Sequence, residues 1–493
     1  MPFEVDYVAL APELTLGVTI LTVLVLDLFL RPERKWWAGV VSFLGLGWAL
    51  MVTIALVGDE RAVMFGGTYV VDEFAVLFKV FFLAVGIVVV ALSLRYFREG
   101  RYYQGEYYFL ILSSFLGMLT ISSSRDLLML FISLELVSAP GFLMAGFRKR
   151  DPRSNEAALK FFLIGILSTA VMLYGMSLIY GVTGSLRLDE IAQRLGNGVL
   201  PSSLEDVPVS ATGVGIAAVL FVVAGFAFKV SSVPFHFWAP DTYEGSPVPV
   251  AAFLSVASKA AGFAGLIQLM FFGFAPLAPF WAPVFAVLSI LTMTIGNLVA
   301  LQQRQVVRLL AYSSIAQAGY MLLPFALAGV SPGVNELAVE AAVLYILVYA
   351  VMNLGAFAVV VAVARESPGV LISDFRGLGR RSAAMAVAML MFLLSLAGLP
   401  PLAGFWAKFF IFRAAIEAEQ AWLAVVMVVN SVISLYYYIL IAREMFFAEP
   451  AEVRPFRAPA LVTAVVAVAG AAVLVVGVFP DLFARLPSGV SPP

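Results

Sequence analysis

Residues 228–263, FKVSSVPFHFWAPDTYEGSPVPVAAFLSVASKAAGF, place Lys229 and Lys259 in strongly apolar sequence around a proline-rich break. A charged side chain inside a bilayer costs about 2.5–3.5 kcal/mol on insertion scales, so it is retained mainly where it has a task. The combination of apolar run, prolines and lysine recurs in LAGLPPLAGFWAKFF, which contains Lys408. Both stretches predict membrane helices that break close to a buried lysine.

The composition of the whole chain agrees with a membrane protein. It is 62% hydrophobic and 12% charged, with a mean hydropathy of +1.00, whereas soluble domains are about 45–50% apolar and 25% charged. Apolar runs long enough to cross a bilayer recur from end to end, and the alternation typical of a β-barrel is absent. The sequence therefore predicts an all-α polytopic membrane protein with about fourteen transmembrane helices.

The predicted spans are separated mostly by short loops. The longest polar connection, about 182–212, contains SLRLDEIAQRLGN and predicts a short surface helix. The spans lie at roughly 8–30, 36–57, 74–94, 106–122, 126–147, 157–181, 214–237, 247–271, 280–301, 307–328, 335–364, 382–412, 420–442 and 458–480.

Positive charge gives this arrangement an orientation. With the N-terminus outside, 19 Lys and Arg residues fall in inner loops and 6 in outer loops. Because inner loops are enriched in Lys and Arg, this bias predicts that both termini lie outside. The net charge of −1 gives no argument for a nucleic-acid partner.

Several chemistries are excluded by the residues that are missing. The chain has no cysteine and one histidine, His236, so it lacks the ligands for an iron–sulfur cluster, a bis-histidine haem or structural zinc. Neither a dinucleotide-binding glycine motif nor a Walker A lysine loop is present. Energy for any uphill transport must therefore come from an ion gradient or from a partner subunit.

Four ionisable residues are predicted near the middle of the bilayer: Glu135, Lys229, Lys259 and Lys408. Glu135 follows Asp126 by nine residues, which is about 13 Å along a helix. Burial disfavours the charged form of such a group, whereas a nearby opposite charge favours it. A Glu–Lys pair can therefore act as a proton switch whose charge state depends on the separation of its members. The alternative is a purely structural ion pair.

For two further residues, Lys160 and His236, the sequence leaves two interpretations open. Lys160 lies about one turn inside its span and can either exchange protons or extend its ammonium to the surface, as Lys79 is expected to do. His236 is either a proton relay or a packing residue. Glu13, in the early APEL sequence, lies near an interface and is not deep enough for transport.

Polar side chains inside the predicted spans can line a hydrated path between the charged residues. Asn297, Gln317 and Asn353 occur well inside predicted spans, where they can hold water or helix contacts. Tyr436, Tyr437 and Tyr438 can line the same path, although aromatic residues at such positions often serve packing.

The stretch at 228–263, LLAYSSIAQAGYMLL at 309–323 and FISLELVSAPGF at 131–142 resemble the antiporter-like proton-translocating subunits of respiratory complex I and of multisubunit cation/proton antiporters. The resemblance covers nearly the whole chain. The APEL start, the absence of a long C-terminal lateral helix and Lys408 in GLPPLAGFWAKF resemble the N type of subunit in bacterial NADH-quinone oxidoreductase. The M type usually has a glutamate in place of Lys408, and the L type carries a C-terminal extension.

This resemblance implies two inverted five-helix repeats with broken helices. The implied segments are an N-terminal three-helix segment at 1–105, a first half-channel at 106–275, a second half-channel at 276–445 and a C-terminal helix with tail at 446–493. It also implies that Glu135 and Lys229 form the switch. Lys160 would be their neighbouring partner, Lys259 the central relay, Lys408 the lysine of the second half-channel and His236 a residue of the hydrated axis.

The function implied by the resemblance is proton translocation in the bacterial inner membrane, without redox chemistry in this chain. NADH, FMN, iron–sulfur clusters and quinone would bind in partner subunits, and this chain would contact the other membrane-arm subunits, lipid and protons but no nucleic acid. The alternative is a subunit of a multisubunit cation/proton antiporter.

Overall fold

The computed structural model describes residues 5–99, 104–197, 211–450, 454–484 and 486. Twelve helical segments in these ranges are long and apolar enough to cross a membrane. Two shorter apolar helices, Gly213–Lys229 and Ala383–Ala397, occupy the positions of the two predicted broken spans. The chain is therefore a multi-pass α-helical membrane protein, as predicted, while the number of crossings and the two repeats stay predictions.

The helices follow one another with short connections. The first eleven are α1 Ala11–Phe29, α2 Trp36–Ala55, α3 Glu73–Glu99, α4 Gln104–Ser123, α5 Leu127–Ala145, α6 Pro152–Thr183, α7 Leu188–Asn197, α8 Ala211–Lys229, α9 Trp238–Gly245, α10 Val248–Phe253 and α11 Lys259–Ile267. The remainder are α12 Ala278–Ala300, α13 Val306–Leu322, α14 Pro332–Ala364, α15 Leu378–Arg381, α16 Ala383–Ala397, α17 Ala403–Glu417, α18 Ala421–Phe447, α19 Ala460–Val478 and α20 Asp481–Ala484.

One span forms the centre of the molecule. The π-helical turns Leu254–Ser258 and Gln268–Gly273 flank α11 and join it to α10, so that Val248–Gly273 is continuous and fully buried. Helix α14 is almost as completely enclosed, whereas α1 and α6 present most of their residues to the outside. Polar groups on the central span and α14 are therefore shielded from lipid.

Both predicted helix breaks are present. Helix α8 ends at Lys229, and no regular helix forms between residues 230 and 237. Helix α16 ends at Gly398, whose φ of 91° suits glycine, and the two prolines lie before α17. A helix end in a membrane needs partners for its freed carbonyls. The indole N–H of Trp238 donates to the Phe228 carbonyl at 3.1 Å, which meets this need at the first break.

Two smaller elements lie outside the long helices. Helix α7 is the predicted short surface helix, and it packs against the π-helical end of the central span. A hairpin of β1 Ala62–Met64 and β2 Tyr69–Val71 pairs antiparallel, with Ala62 opposite Val71. No pattern in the sequence predicts this hairpin, because each strand has only three residues.

Candidate functional site

Lys229 terminates α8 inside the protein, where its side chain is 3% exposed. Its ammonium donates to the Ser138 hydroxyl on α5 at 2.8 Å. Gly262 on α11 provides the space, since a Cβ atom there would lie 3.0 Å from the Lys229 Cγ. The lack of a side chain at Gly262 therefore lets α11 approach Lys229 closely.

Glu135 lies on the same helix as Ser138 but does not form an ion pair with Lys229 in the part of the chain that the structure describes. The half-buried carboxylate accepts a hydrogen bond from the Thr169 hydroxyl of α6 at 2.8 Å. The structure thus places both predicted switch residues at the interface of α5 with its neighbours, with Ser138 as the direct partner of the lysine.

Lys259 begins α11 at the junction with a π-helical turn and is 1% exposed. Its ammonium donates to both the carbonyl and the hydroxyl of Ser314 on α13, each at 2.7 Å. The Ser314 hydroxyl also accepts from Tyr349 of α14 at 2.9 Å. None of the ion pairs between described residues includes Lys259, so neutral oxygens alone hold this ammonium.

A buried polar network continues from α13 towards α18. The Ser313 and Tyr438 hydroxyls lie 2.6 Å apart, and the Gln317 amide donates weakly to Tyr438 at 3.5 Å. Tyr437 donates to Asn297 at 2.9 Å. Asn297, Gln317, Tyr437 and Tyr438 therefore meet in one region. Asn353 instead donates to Ser255 of the central span at 2.8 Å, and Tyr436 is exposed and cannot line the path.

Lys408 lies at the second break, on α17. Its ammonium donates to the freed carbonyl of Ala397 and to the Ser431 hydroxyl of α18, both at 2.9 Å. It also lies 4.4 Å above the ring centroid of Tyr320, a distance typical of a cation–π interaction. The side chain forms part of the wall of a cavity of about 370 Å³ between α17 and α18.

Replacing Gly398 with alanine is expected to displace Lys408. A Cβ atom at position 398 would lie 2.8 Å from the Lys408 Cδ, and the φ of 91° strains any residue with a side chain. We expect a loss of stability of about 1–2 kcal/mol and slower transport by the assembled protein. Thermal unfolding and transport rate measure the two effects, with Gly47→Ala, where no atom lies within 4 Å, as the control. Equal effects of both substitutions would contradict this explanation.

Lys160 reaches the surface, as one of its two interpretations expects, and its part in proton exchange stays a prediction. Its side chain is 43% exposed, and its ammonium pairs with Glu156 at 2.8 Å and with Asp241 at 2.7 Å. Arg308 of α13 reaches the same Asp241 at 2.7 Å and Glu244 at 3.0 Å. Burial opposes ionisation of Asp241, but hydrogen bonds from Lys160 and Arg308 outweigh it and hold the pKa of the carboxyl below its ordinary value. The implied partnership of Lys160 with Glu135 and Lys229 is not among its contacts.

His236 lies in the turn between α8 and α9 and is half-buried. Its Nδ1 atom is buried and has no hydrogen-bond partner among the described residues. The contacts of Lys229, Lys259 and Lys408 do not include the imidazole. Its role as a proton relay stays a prediction.

The expectation that Lys79 extends to the membrane surface is wrong. Its side chain is completely buried, and its ammonium pairs with Glu13 of α1 at 2.9 Å. Tyr69 of β2 donates to the same Glu13 oxygen at 2.8 Å. Sequence depth alone could not reveal this pair, because the hairpin and α1 cover a position that would otherwise lie near the surface.

The fold and site define a polytopic membrane protein in which three buried lysines are held by hydroxyl and carbonyl oxygens. A family described as NADH:quinone oxidoreductase/Mrp antiporter, TM matches residues 124–434, and the chain belongs to this family.

The chain is also similar to known proteins over nearly its whole length. The chain is 43% identical to NADH-quinone oxidoreductase subunit N 2 of Streptomyces griseus subsp. griseus, covering 96% of this chain and 92% of that protein. It is 39% identical to F(420)H(2) dehydrogenase subunit N of Methanosarcina mazei, covering 97% of each. A chain in the structure of respiratory complex I from Thermus thermophilus with bound aureothin matches with a TM-score of 0.77 and 33% identity, covering 97% of this chain and 98% of that one.

Proposed function

We propose that this chain is the N-type proton-translocating membrane subunit of a respiratory NADH-quinone oxidoreductase. One observation carries the proposal: three buried lysines, Lys229, Lys259 and Lys408, are held by hydroxyl and carbonyl oxygens without an ion pair among the described residues. A lysine without a counter-ion readily gives up its proton in a low-dielectric site. The full-length relatives named subunit N support the assignment to this complex.

Protons would move by transient charging of these lysines. Serine hydroxyls accept hydrogen bonds from all three ammonium groups and can pass protons to neighbouring water. The charge of Glu135 would favour the charged form of Lys229 when the two groups approach. Since both helix breaks adjoin lysines, small movements of the broken helices can change these separations.

The two halves of the chain would contain separate half-channels. We place Glu135 and Lys229 in the first, residues 106–275, and Lys408 in the second, residues 276–445. Lys259, with its contact to α13, would connect them, and His236 would contribute to the hydrated axis. Lys160 would act through Asp241 rather than through the switch.

The electron transfer that drives this movement would occur in partner subunits. They would bind NADH, FMN, iron–sulfur clusters and quinone and would transmit the change laterally through other membrane-arm subunits. The excess of inner Lys and Arg supports a multi-pass orientation in the bacterial inner membrane with both termini outside.

Lys229→Ala and Glu135→Ala test the switch. In the fully assembled enzyme, each substitution is expected to depress proton pumping, because one removes the proton carrier and the other removes the charge that controls it. Pumping is measured as NADH-driven acidification of vesicles that contain equal amounts of assembled enzyme. Thr169→Val, which removes only the hydrogen bond to Glu135, is the matched control and should have a smaller effect. Normal pumping stoichiometry in either alanine variant would contradict its switch role.

The alternative function is a subunit of a cation/proton antiporter complex, because the family description includes Mrp antiporters. The two proposals differ in the proteins that accompany this chain. Purification of the native complex should yield iron–sulfur subunits and NADH-dependent quinone reduction if the first is correct. Sodium–proton exchange by a complex without redox subunits would favour the second.

A further inference from the structure

A cavity of about 450 Å³ opens on the arginine-rich face of the protein, which the charge bias assigns to the inside. Its wall includes the buried residues Ser246 and Tyr243 and charged residues of both signs, namely Arg148, Arg153, Arg365, Glu99, Asp151 and Glu244. The cavity lies beside α9, the helix that follows the first break. It therefore reaches from the charged surface to residues that are shielded from solvent.

Tyr243 connects this cavity with the central lysine. The residue is fully buried, and its hydroxyl has no hydrogen-bond partner among the described residues that meets ordinary geometry. Helix α9, which carries Tyr243, packs against α13, which carries Ser314. Ser314 is the residue that binds the Lys259 ammonium at 2.7 Å. A buried hydroxyl without a partner is unfavourable, so its presence between a cavity and a buried lysine calls for an explanation.

Charged contacts fix α9 in this place. Arg308 of α13 pairs with Asp241 and Glu244, on either side of Tyr243 in the sequence. At the other end of α9, the Arg148 guanidinium donates to the carbonyls of Gly245 and Ser246 at 2.8 and 3.0 Å. These contacts hold the phenol between the cavity and α13 rather than leaving it to move with the break.

We propose that the Tyr243 hydroxyl is the relay through which protons pass between the arginine-rich cavity and Lys259. The proposal rests on the proton-translocating function above and adds the residue that gives the central lysine access to one side of the membrane.

In the relay, each hydroxyl group gains one proton as it loses another, so both remain hydroxyls. A proton from cavity water binds the phenol oxygen while the phenol proton passes to the Ser314 oxygen. The original Ser314 proton then passes to the neutral amine of Lys259, which becomes an ammonium. Burial raises the pKa of Tyr243, so the phenol stays protonated at neutral pH and acts as a hydroxyl relay rather than as an anion.

Tyr243→Phe in the assembled enzyme tests the relay with little change in volume. We expect NADH-driven proton pumping to slow by roughly tenfold, less than for a lost general acid, because water can partly replace the hydroxyl. The rate ratio between H₂O and D₂O should rise, since proton transfer becomes limiting. Tyr108→Phe is the matched control, because Tyr108 is also fully buried with an unpartnered hydroxyl but lies on α4. Unchanged pumping and an unchanged isotope effect in Tyr243→Phe would overturn the proposal.

The cavity can be tested independently of that variant. The chain has no cysteine, so Ser246→Cys adds a single thiol to the cavity wall. A charged, membrane-impermeant thiol reagent, applied from the arginine-rich side, should slow pumping in this variant more than in the unsubstituted enzyme, whose response measures the reaction with thiols of the partner subunits. Complete labelling without slowing would overturn the route. If Lys259→Met pumps normally, the proposed function itself fails; if only Tyr243→Phe pumps normally, the relay alone fails.

Discussion

Lys259→Met is expected to reduce NADH-driven proton pumping by the assembled enzyme by roughly tenfold or more, as for the loss of a positioned acid–base group. The methionine is similar in length and apolar, so it occupies the buried site without a charge. It cannot take up a proton, and the Ser314 oxygens lose their cationic partner. The measurement is the initial rate of vesicle acidification at matched enzyme content.

Two controls separate proton exchange from charge and from folding. Lys259→Arg keeps a positive charge but holds its proton too tightly to release it, so it should also pump slowly. Lys35→Met removes a lysine that is partly exposed and paired with Asp27, and it should pump normally. Near-normal pumping by Lys259→Arg would mean that the charge, rather than proton exchange, is what the site supplies.

Lys79→Met is expected to destabilise the protein by about 3–5 kcal/mol, because removing one member of a buried ion pair leaves the other charge uncompensated. The carboxylate left without a counter-ion would be that of Glu13, and one of its oxygens already lacks a hydrogen-bond partner among the described residues. The substitution should loosen the contact between α1 and α3. Thermal inactivation of the assembled enzyme and the fraction of enzyme assembled provide the measurement.

A double-mutant cycle identifies the source of that loss. Glu13→Gln combined with Lys79→Met removes both charges, so the double variant should be more stable than Lys79→Met alone. Equal destabilisation of the single and double variants would mean that lost packing, rather than an unpaired carboxylate, is responsible.

Much of the fold could be predicted because a membrane restricts the options. Apolar length identifies spans, and prolines identify places where a helix cannot continue. The break after Lys229 and the break before Lys408 are both present for this reason. The hairpin was missed, since three-residue strands leave no pattern that can be distinguished from a loop.

The sequence could predict which residue types form the candidate site, but not which groups bind each lysine side chain. The buried positions of Lys229, Lys259 and Lys408 follow from their apolar neighbours, and the structure places them inside the protein. For Lys160 the sequence left burial and a surface position open, and its side chain is partly exposed and bound to Asp241; Lys79, expected near the surface, is buried against Glu13. Distance from a span end could not distinguish them, because burial depends on which other helices cover each position.

The sequence by itself determined that this is a many-helix membrane protein with lysines at depth and two broken helices, since a bilayer imposes its length and polarity on every crossing segment. Only the tertiary structure decided which oxygen holds each ammonium and which cavity reaches Tyr243. Those contacts join residues far apart in the chain, such as Lys229 with Ser138 and Lys259 with Ser314. Local apolar pattern carries no information on such pairs, because it specifies the face that a helix buries but not the helix that it meets.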